Sequence, residues 1–261
     1  MLDRIETARR ERDASEERLR RFVDDASHEL RTPIATIRGY AELFRRGAAE
    51  RPEDLATVLA RIESEAQRMG LLVDDLLALA ALDRDHTPVT EPVDLVAVAT
   101  DAVAAATVAG ARGLTVHAPD PATVPGDPVG VRRVLDNLLA NAVRHTPPGT
   151  EAEVRVSVGD RGDVLLAVAD RGPGLRDPAR VFERFYRDGT RGPAPGSGAG
   201  LGLAIVAAIA SAHGWTVVAR NMPLGGALVG VTIDGEGRPD RPRTPGRGGN
   251  RDGGGASTVA A

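Results

Sequence analysis

Four stretches of this chain carry side chains whose type and spacing suit chemistry rather than packing alone. In "SHELRTP" (27–33) the imidazole of His28 stands beside the carboxylate of Glu29, followed by Arg31, Thr32 and Pro33. Imidazole is largely neutral near pH 7 and is then a competent nucleophile. Glu29 is placed to accept the proton on the ring nitrogen that does not attack, which would fix the tautomer. Asn137 and Asn141 lie four apart, so they share a helix face and offer amide oxygens suited to a hard cation such as Mg²⁺. Arg144 and His145 follow within a turn and could meet a phosphate. "DRGPG" (170–174) sets Asp170 at a strand end with Gly172 and Gly174 after it. A fixed carboxylate there can accept from an exocyclic amine while the glycines let a flat base approach the backbone. "GSGAGLGL" (196–203) opens a helix with alternate glycines, an arrangement whose N–H groups favour an anion. Each has a plainer account: a solvated histidine, surface amides, turn chemistry, a flexible loop. "FERFYR" (182–187) alone could be any short helix.

These groups need elements to hold them. Residues 2 to about 46 read as one long helix, with Leu19, Phe22, Val23, Ala26, Leu30, Ile34, Ile37, Ala41 and Phe44 at spacings of three and four. Ahead of Leu19 the pattern is dense in both charges, like a coiled-coil exterior. Pro33 has no N–H, so the Glu29 carbonyl loses its helix partner and a bend is expected beside His28. Gly47 and Pro52 bracket a turn. A second helix follows, with Leu55, Leu59, Ile62, Ala66, Met69, Val73, Leu76 and Ala80 on one face. Two such stripes exceed what each helix can cover for the other. Pairing of two hairpins into a four-helix bundle is the natural solution, with packing on the rest of the same chain as the alternative.

"DRDHTPVTEPVD" (83–94) has two prolines and little periodicity, and reads as a linker, bounded at 85–93. Mixed α and β texture follows. Asp94 caps a helix over about 95–109, "GLTVHAP" is a short strand, and Asp127 with Pro128 opens the asparagine-bearing helix. "EAEVRVSVGD" and "GDVLLAVAD" read as an antiparallel hairpin. A Gly/Pro-rich stretch (188–200) leads into "LGLAIVAAIASAHG", then the strands "WTVVARN" and "GGALVGVTID". The segment beyond 235 is Gly-, Pro- and Arg-rich and reads as a disordered tail. His86 and His117 read as surface residues; His213 ends a helix before Gly214, where positive charge is welcome.

Bulk properties narrow the classes. The 261 residues carry a net charge of −4, which gives no reason to expect nucleic-acid binding. Cysteine is absent, which removes disulfides, Cys-bound zinc and thiol catalysis; lysine is absent too, so all 33 basic residues are arginine. No run approaches the ~20 apolar residues that span a bilayer, and the start lacks a signal-peptide core, so the chain as given is expected in the cytoplasm. Met1 enters a helical pattern at once, which suggests an upstream, membrane-anchored sensor region beyond this sequence.

In order, these motifs resemble the H, N, G1, F and G2 boxes of sensor histidine kinases, over roughly residues 15–235. There is no "GxxxxGK[ST]" and no "HRD" or "DFG", so neither a P-loop enzyme nor a Ser/Thr/Tyr kinase fits. The resemblance implies a helical hairpin forming a dimeric four-helix bundle, then an α/β sandwich ATP-binding domain of the GHKL (Bergerat) type. By that division 1–18 is a signalling coiled-coil helix, 19–84 the dimerisation and phosphotransfer domain, 94–235 the ATP-binding domain and 236–261 the tail. It implies His28 as phosphoacceptor, Asn141 as the Mg²⁺ ligand with Asn137 in support, and Asp170 on the adenine amine with Gly172 and Gly174 beside the base. Gly198, Gly200 and Gly202 would form the hinge and phosphate face of a mobile ATP lid. Thr32 matches a polar residue linked to removing phosphate from the regulator. Two positions depart from the pattern: Ala199 stands where serine or threonine is common, and Arg144 where lysine is frequent. The implied activity is ATP-dependent self-phosphorylation on His28, then transfer to an aspartate of a response regulator, by a homodimer. A non-kinase ATPase of the same fold and a catalytically inactive dimeric scaffold are the competing readings.

Overall fold

The structure, a computed structural model, describes residues 2–45, 52–82, 88–118, 121–147, 149–187 and 199–234. Gly47, His86, Gly198 and the tail from 235 onward lie outside the described residues.

Two helices open the fold, α1 (Leu2–Arg45) and α2 (Pro52–Leu82), and they pack along each other. Helix α1 is continuous through Pro33, whose side chain is buried against the hairpin. On α2 the buried residues are Val58, Leu72, Ala78 and Leu79, of which Val58, Leu72 and Leu79 are spaced at multiples of seven. The line expected from sequence is displaced by one position: Leu59, Ala66, Val73 and Ala80 are exposed, while Leu55, Ile62, Met69 and Leu76 are half-buried. The reason is the second binding surface. Leu72 and Leu79 belong to the same apolar cluster as Leu201, Ile205 and Val206, so part of the α2 stripe is covered by this chain's own α/β domain. Val23, Ile34, Leu71 and Leu77 stay open to solvent at 51–67% exposure, apolar side chains of the hairpin that the single chain does not cover.

The α/β domain contains α3 (Leu95–Val108), α4 (Pro128–His145) and α5 (Gly202–Ala212). Its main sheet has five strands in the order β2-β4-β5-β7-β6: β2 (Leu114–His117), β4 (Ala152–Val158), β5 (Val164–Asp170), β7 (Ala227–Ile233) and β6 (Thr216–Asn221). Only β2 and β4 run parallel. The remaining neighbours are antiparallel, including the expected hairpin, with Val154 opposite Val168. The three helices cover one face, where Leu95, Leu135, Leu138 and Ile205 meet Val154, Leu166 and Val231 with almost no solvent contact. Burying each such side chain is worth about 1.5–3 kcal/mol, so this layer fixes where the helix ends fall. The other face carries the smaller Ala167, Ala169 and Leu228.

One expectation needs correction. The last four residues of the expected linker form a strand, β1 (Glu91–Asp94), paired antiparallel with β3 (Thr123–Gly126). Pro92 lies opposite Pro125, and a pair with no N–H to exchange must occupy a non-hydrogen-bonded position. Two prolines that argue against a strand singly are thus compatible with one when they face each other.

Candidate active site

Helix α4 is set by its first turn. Asp127 Oδ1 accepts from Val129 N–H at 3.1 Å and Oδ2 from Gly130 N–H at 3.0 Å, with Pro128 in the position that needs no donor. The same Asp127 amide donates to His213 Nε2 at 3.1 Å, while His213 Nδ1 donates to the Ile209 carbonyl at 2.8 Å. His213 therefore bridges the start of α4 and the end of α5 through both ring nitrogens, a link the helix-end position alone did not reveal. Trp215 stacks on its ring at 4.3 Å.

With Val131, Leu135, Leu138 and Leu139 facing the sheet, Asn137 and Asn141 fall on one half-buried edge of α4. Asn137 Nδ2 donates to the Arg133 carbonyl at 2.9 Å, which turns Oδ1 toward the start of α5. A Cβ on Gly202 would lie 2.8 Å from that oxygen, so only glycine fits there without displacing it. Asn141 has no side-chain hydrogen bond among the described residues, leaving its amide oxygen available to a cation. At the α4 end Arg144 and His145 are exposed. Desolvation pulls the Arg144 guanidinium below its ordinary value, against the attraction of Asp75 on α2.

Asp170 ends β5. Its Oδ1 accepts from Gly172 N–H at 2.7 Å and, at a longer 3.4 Å, from Ala227 N–H. A Cβ on Gly172 would stand 2.9 Å from that carboxylate oxygen and 3.4 Å from both the His145 carbonyl and Thr146 Oγ1. The Thr146 hydroxyl is buried and lacks a hydrogen-bond partner among the described residues, so a polar group is accommodated beside the carboxylate. Gly174 has φ +82°, and a Cβ there would approach Asn221 Oδ1 at 2.8 Å. Gly226, at φ +86°, lies so close behind Asp170 that any Cβ would overlap the Asp170 carbonyl. Sequence reading missed Asn221, Gly226 and Thr146.

The aromatic segment and the glycine segment hold each other. Residues 177–186 form successive turns, with Glu183 N–H donating to the Arg180 carbonyl at 2.9 Å, and not a regular helix. Phe185 has φ +60° and donates its N–H to the Gly200 carbonyl at 3.0 Å. Helix α5 then starts at Gly202 with no side-chain cap and no acidic residue in its first turn. Such an uncapped end presents free N–H groups to an anion.

His28 is exposed on α1, with Glu29 half-buried beside it. No hydrogen bond joins their side chains among the described residues, as expected for neighbours about 100° apart around a helix. Thr32 Oγ1 donates weakly to the His28 carbonyl at 3.4 Å. Two regions thus emerge. Asn137, Asn141, Asp170, Gly172, Gly174, Gly200 and Gly202 surround one end of the α/β sandwich; His28, Glu29 and Thr32 lie on the hairpin. The hairpin and the sandwich meet at Phe22, whose ring is 6.4 Å from that of Phe185 and 5.2 Å beneath the Arg184 guanidinium.

The described residues suit an adenine nucleotide: a carboxylate bonded to its own glycine loop for the amine, and an uncapped helix end for phosphate. A hard cation fits as well, with Asn141 as its protein oxygen. Among the described residues no cluster of three His, Cys, Asp or Glu side chains forms a separate metal site, so most ligands would come from phosphate and water.

Comparison with known proteins agrees with this division. Residues 18–85 match the family model of the His Kinase A (phospho-acceptor) domain, and 126–237 that of the histidine kinase-, DNA gyrase B-, and HSP90-like ATPase. The chain is 45% identical over 229 residues to the probable sensor histidine kinase TcrY of Mycobacterium tuberculosis, covering 85% of this chain and 47% of that protein. It is 35% identical to the signal transduction histidine-protein kinase/phosphatase MprB of Mycobacterium bovis, covering 84% of this chain and 44% of that protein. The chain spans about half the length of the curated relatives it matches. Among solved structures, full-length ShkA in complex with AMPPNP is 30% identical with a TM-score of 0.56, over 79% of this chain and 44% of that one.

Proposed function

We propose that this chain, which belongs to the sensor histidine kinase family, is an ATP-dependent protein-histidine kinase core that phosphorylates itself on His28. The observation that carries the proposal is an exposed imidazole on a helix that touches, through Phe22 and Phe185, the root of a glycine segment on the domain that also holds the Asp170 carboxylate and its glycine loop.

In this reading Asp170 accepts from the adenine amine, and Gly172 and Gly174 leave room for the ring. The backbone of Gly200 and Gly202 faces the phosphates, and Arg144 and His145 contribute charge. Asn141, with Asn137 steadying the helix edge, would hold Mg²⁺, which would supply positive charge against the phosphates. A ring nitrogen of neutral His28 forms the N–P bond while the bond from the γ-phosphorus to the bridging oxygen of ADP breaks. Glu29 takes the proton from the other ring nitrogen once its side chain turns toward the ring. Phosphohistidine then passes the group to an aspartate of a response-regulator receiver domain. Thr32 holds the water for the reverse task, removal of phosphate from that regulator. The open apolar side chains of Val23, Ile34, Leu71 and Leu77 suit a second hairpin, giving a homodimer with a four-helix bundle. No described helix is long and apolar enough to cross a membrane.

The test is incubation with γ-labelled ATP and a receiver domain. An acid-labile, base-stable label on the chain that moves to the receiver supports the kinase. ATP hydrolysis with no protein-bound label would instead indicate an ATPase of the same fold, and neither activity an inactive scaffold.

A further inference from the structure

We propose that Asn221, at the end of β6, is a positioning residue for the nucleotide site: its amide fixes the loop that carries Gly172 and Gly174. The inference rests on the reading that Asp170 and this loop receive the base.

The geometry is that of one extra rung of sheet. Asn221 Oδ1 accepts from Leu175 N–H at 2.6 Å, and Asn221 Nδ2 donates to the Leu175 carbonyl at 2.8 Å. A primary amide holding both polar groups of one residue fixes that residue's peptide planes as a neighbouring strand would. Leu175 follows directly on Gly174, whose left-handed backbone brings its Cα against the same Asn221 oxygen. The loop from Asp170 to Leu175 is thus held at both ends. Gly172 N–H bonds the Asp170 carboxylate at one end, and Asn221 clamps the other.

Asn221 is itself fixed by register. It pairs with Ala227, the residue whose N–H reaches back to Asp170 Oδ1. Between them a tight turn closes, Met222 N–H donating to the Gly226 carbonyl at 3.0 Å, with Gly226 against the Asp170 backbone. The β6–β7 turn and the Asp170 loop therefore form one unit, although 46 residues separate Asn221 from Leu175. Asn221 is exposed and contributes little to the apolar core, so its two short bonds are not needed to bury a polar group. They are accounted for by holding the loop.

Asn221→Ala removes both bonds, and Asn221→Asp keeps the acceptor while losing the donor. In the full chain, ADP affinity should fall at least ten-fold for the alanine variant and by a smaller factor for the aspartate variant. ATP affinity should fall by the same factor, because the defect lies at the base end, whereas loss of a phosphate contact would weaken ATP more than ADP. The Leu175 amide should lose hydrogen-exchange protection in the alanine variant, with protection of the β5 amides unchanged. If Asn221→Ala also unfolds the domain, the aspartate variant supplies the affinity measurement. A parent chain that binds ADP and variants that bind it equally well, with Leu175 exposed, would overturn the positioning role. A folded parent that binds neither ADP nor ATP would overturn the nucleotide reading on which it rests.

Discussion

The Phe185 amide donates to the Gly200 carbonyl at 3.0 Å, and both residues have positive φ, +60° and +75°. The aromatic turn and the root of the glycine segment are therefore a single joint, strained at Phe185 and relaxed at Gly200, and the Phe185 ring meets Phe22 on α1. Strain of this kind persists only where surrounding contacts over-determine it.

That joint gives the first prediction. Alanine at 200 would place its Cβ 2.8 Å from the Tyr186 carbonyl and would still need the left-handed backbone. Gly200→Ala should lower unfolding free energy by about 1–3 kcal/mol. It should also weaken ATP binding by about ten-fold or more, because the start of α5 shifts with the joint. Urea unfolding and calorimetric titration read the two effects. Unchanged values in both would mean that position 200 does not need the left-handed backbone and close approach that only glycine allows.

Asp75 on α2 gives a pH-dependent prediction. Burial raises its pKa above the ordinary carboxylate value, with Arg133 and Arg144 on α4 opposing and Asp74 adding to the shift. The native state then holds this proton to higher pH than the unfolded state does. Stability is lost as pH rises through the interval between the ordinary and the folded value, and stays lower above it. Asp75→Asn should therefore unfold at a higher temperature than the parent at pH 7, with the gain shrinking toward pH 3. A gain that persists undiminished at pH 3 would show that ionisation is not its cause.

Thr32 separates two activities. It lies one turn from His28, about 6 Å along the helix, and its hydroxyl makes only a weak bond to the His28 carbonyl. Thr32→Ala should leave self-phosphorylation within a few-fold of the parent. Dephosphorylation of a phosphorylated receiver should slow ten-fold or more, a barrier change of about 1.4 kcal/mol. Equal losses in both would point to a distorted helix beside Pro33, and the water-holding role would have to be dropped.

How much of this was legible in the sequence follows the range of the interactions. The Asp94 and Asp127 caps are local, and both were readable from the residue types alone. The β4–β5 hairpin follows from alternation around a short turn. The α2 stripe was displaced by one position because its real partner, the α5 region, lies more than a hundred residues away. The Pro92–Pro125 pairing, the parallel β2–β4 contact and the Asn221–Leu175 clamp depend on separations that no local pattern reports. His213 shows the same limit at a single residue: its helix-end position was visible, but the Asp127 amide that makes it an acceptor was not. The candidate site residues could be singled out because their spacing reflects chemistry on short elements. What the sequence lacked were the groups behind them.

The central claim is that His28 receives the phosphoryl group. The parent chain and His28→Gln, incubated with γ-labelled ATP and Mg²⁺, should bind ATP with the same affinity. Acid-labile, base-stable label should form on the parent and map to the peptide containing His28, and be absent from the variant. Label of the same chemistry on His28→Gln, at any yield near that of the parent, would place the acceptor elsewhere and contradict the account.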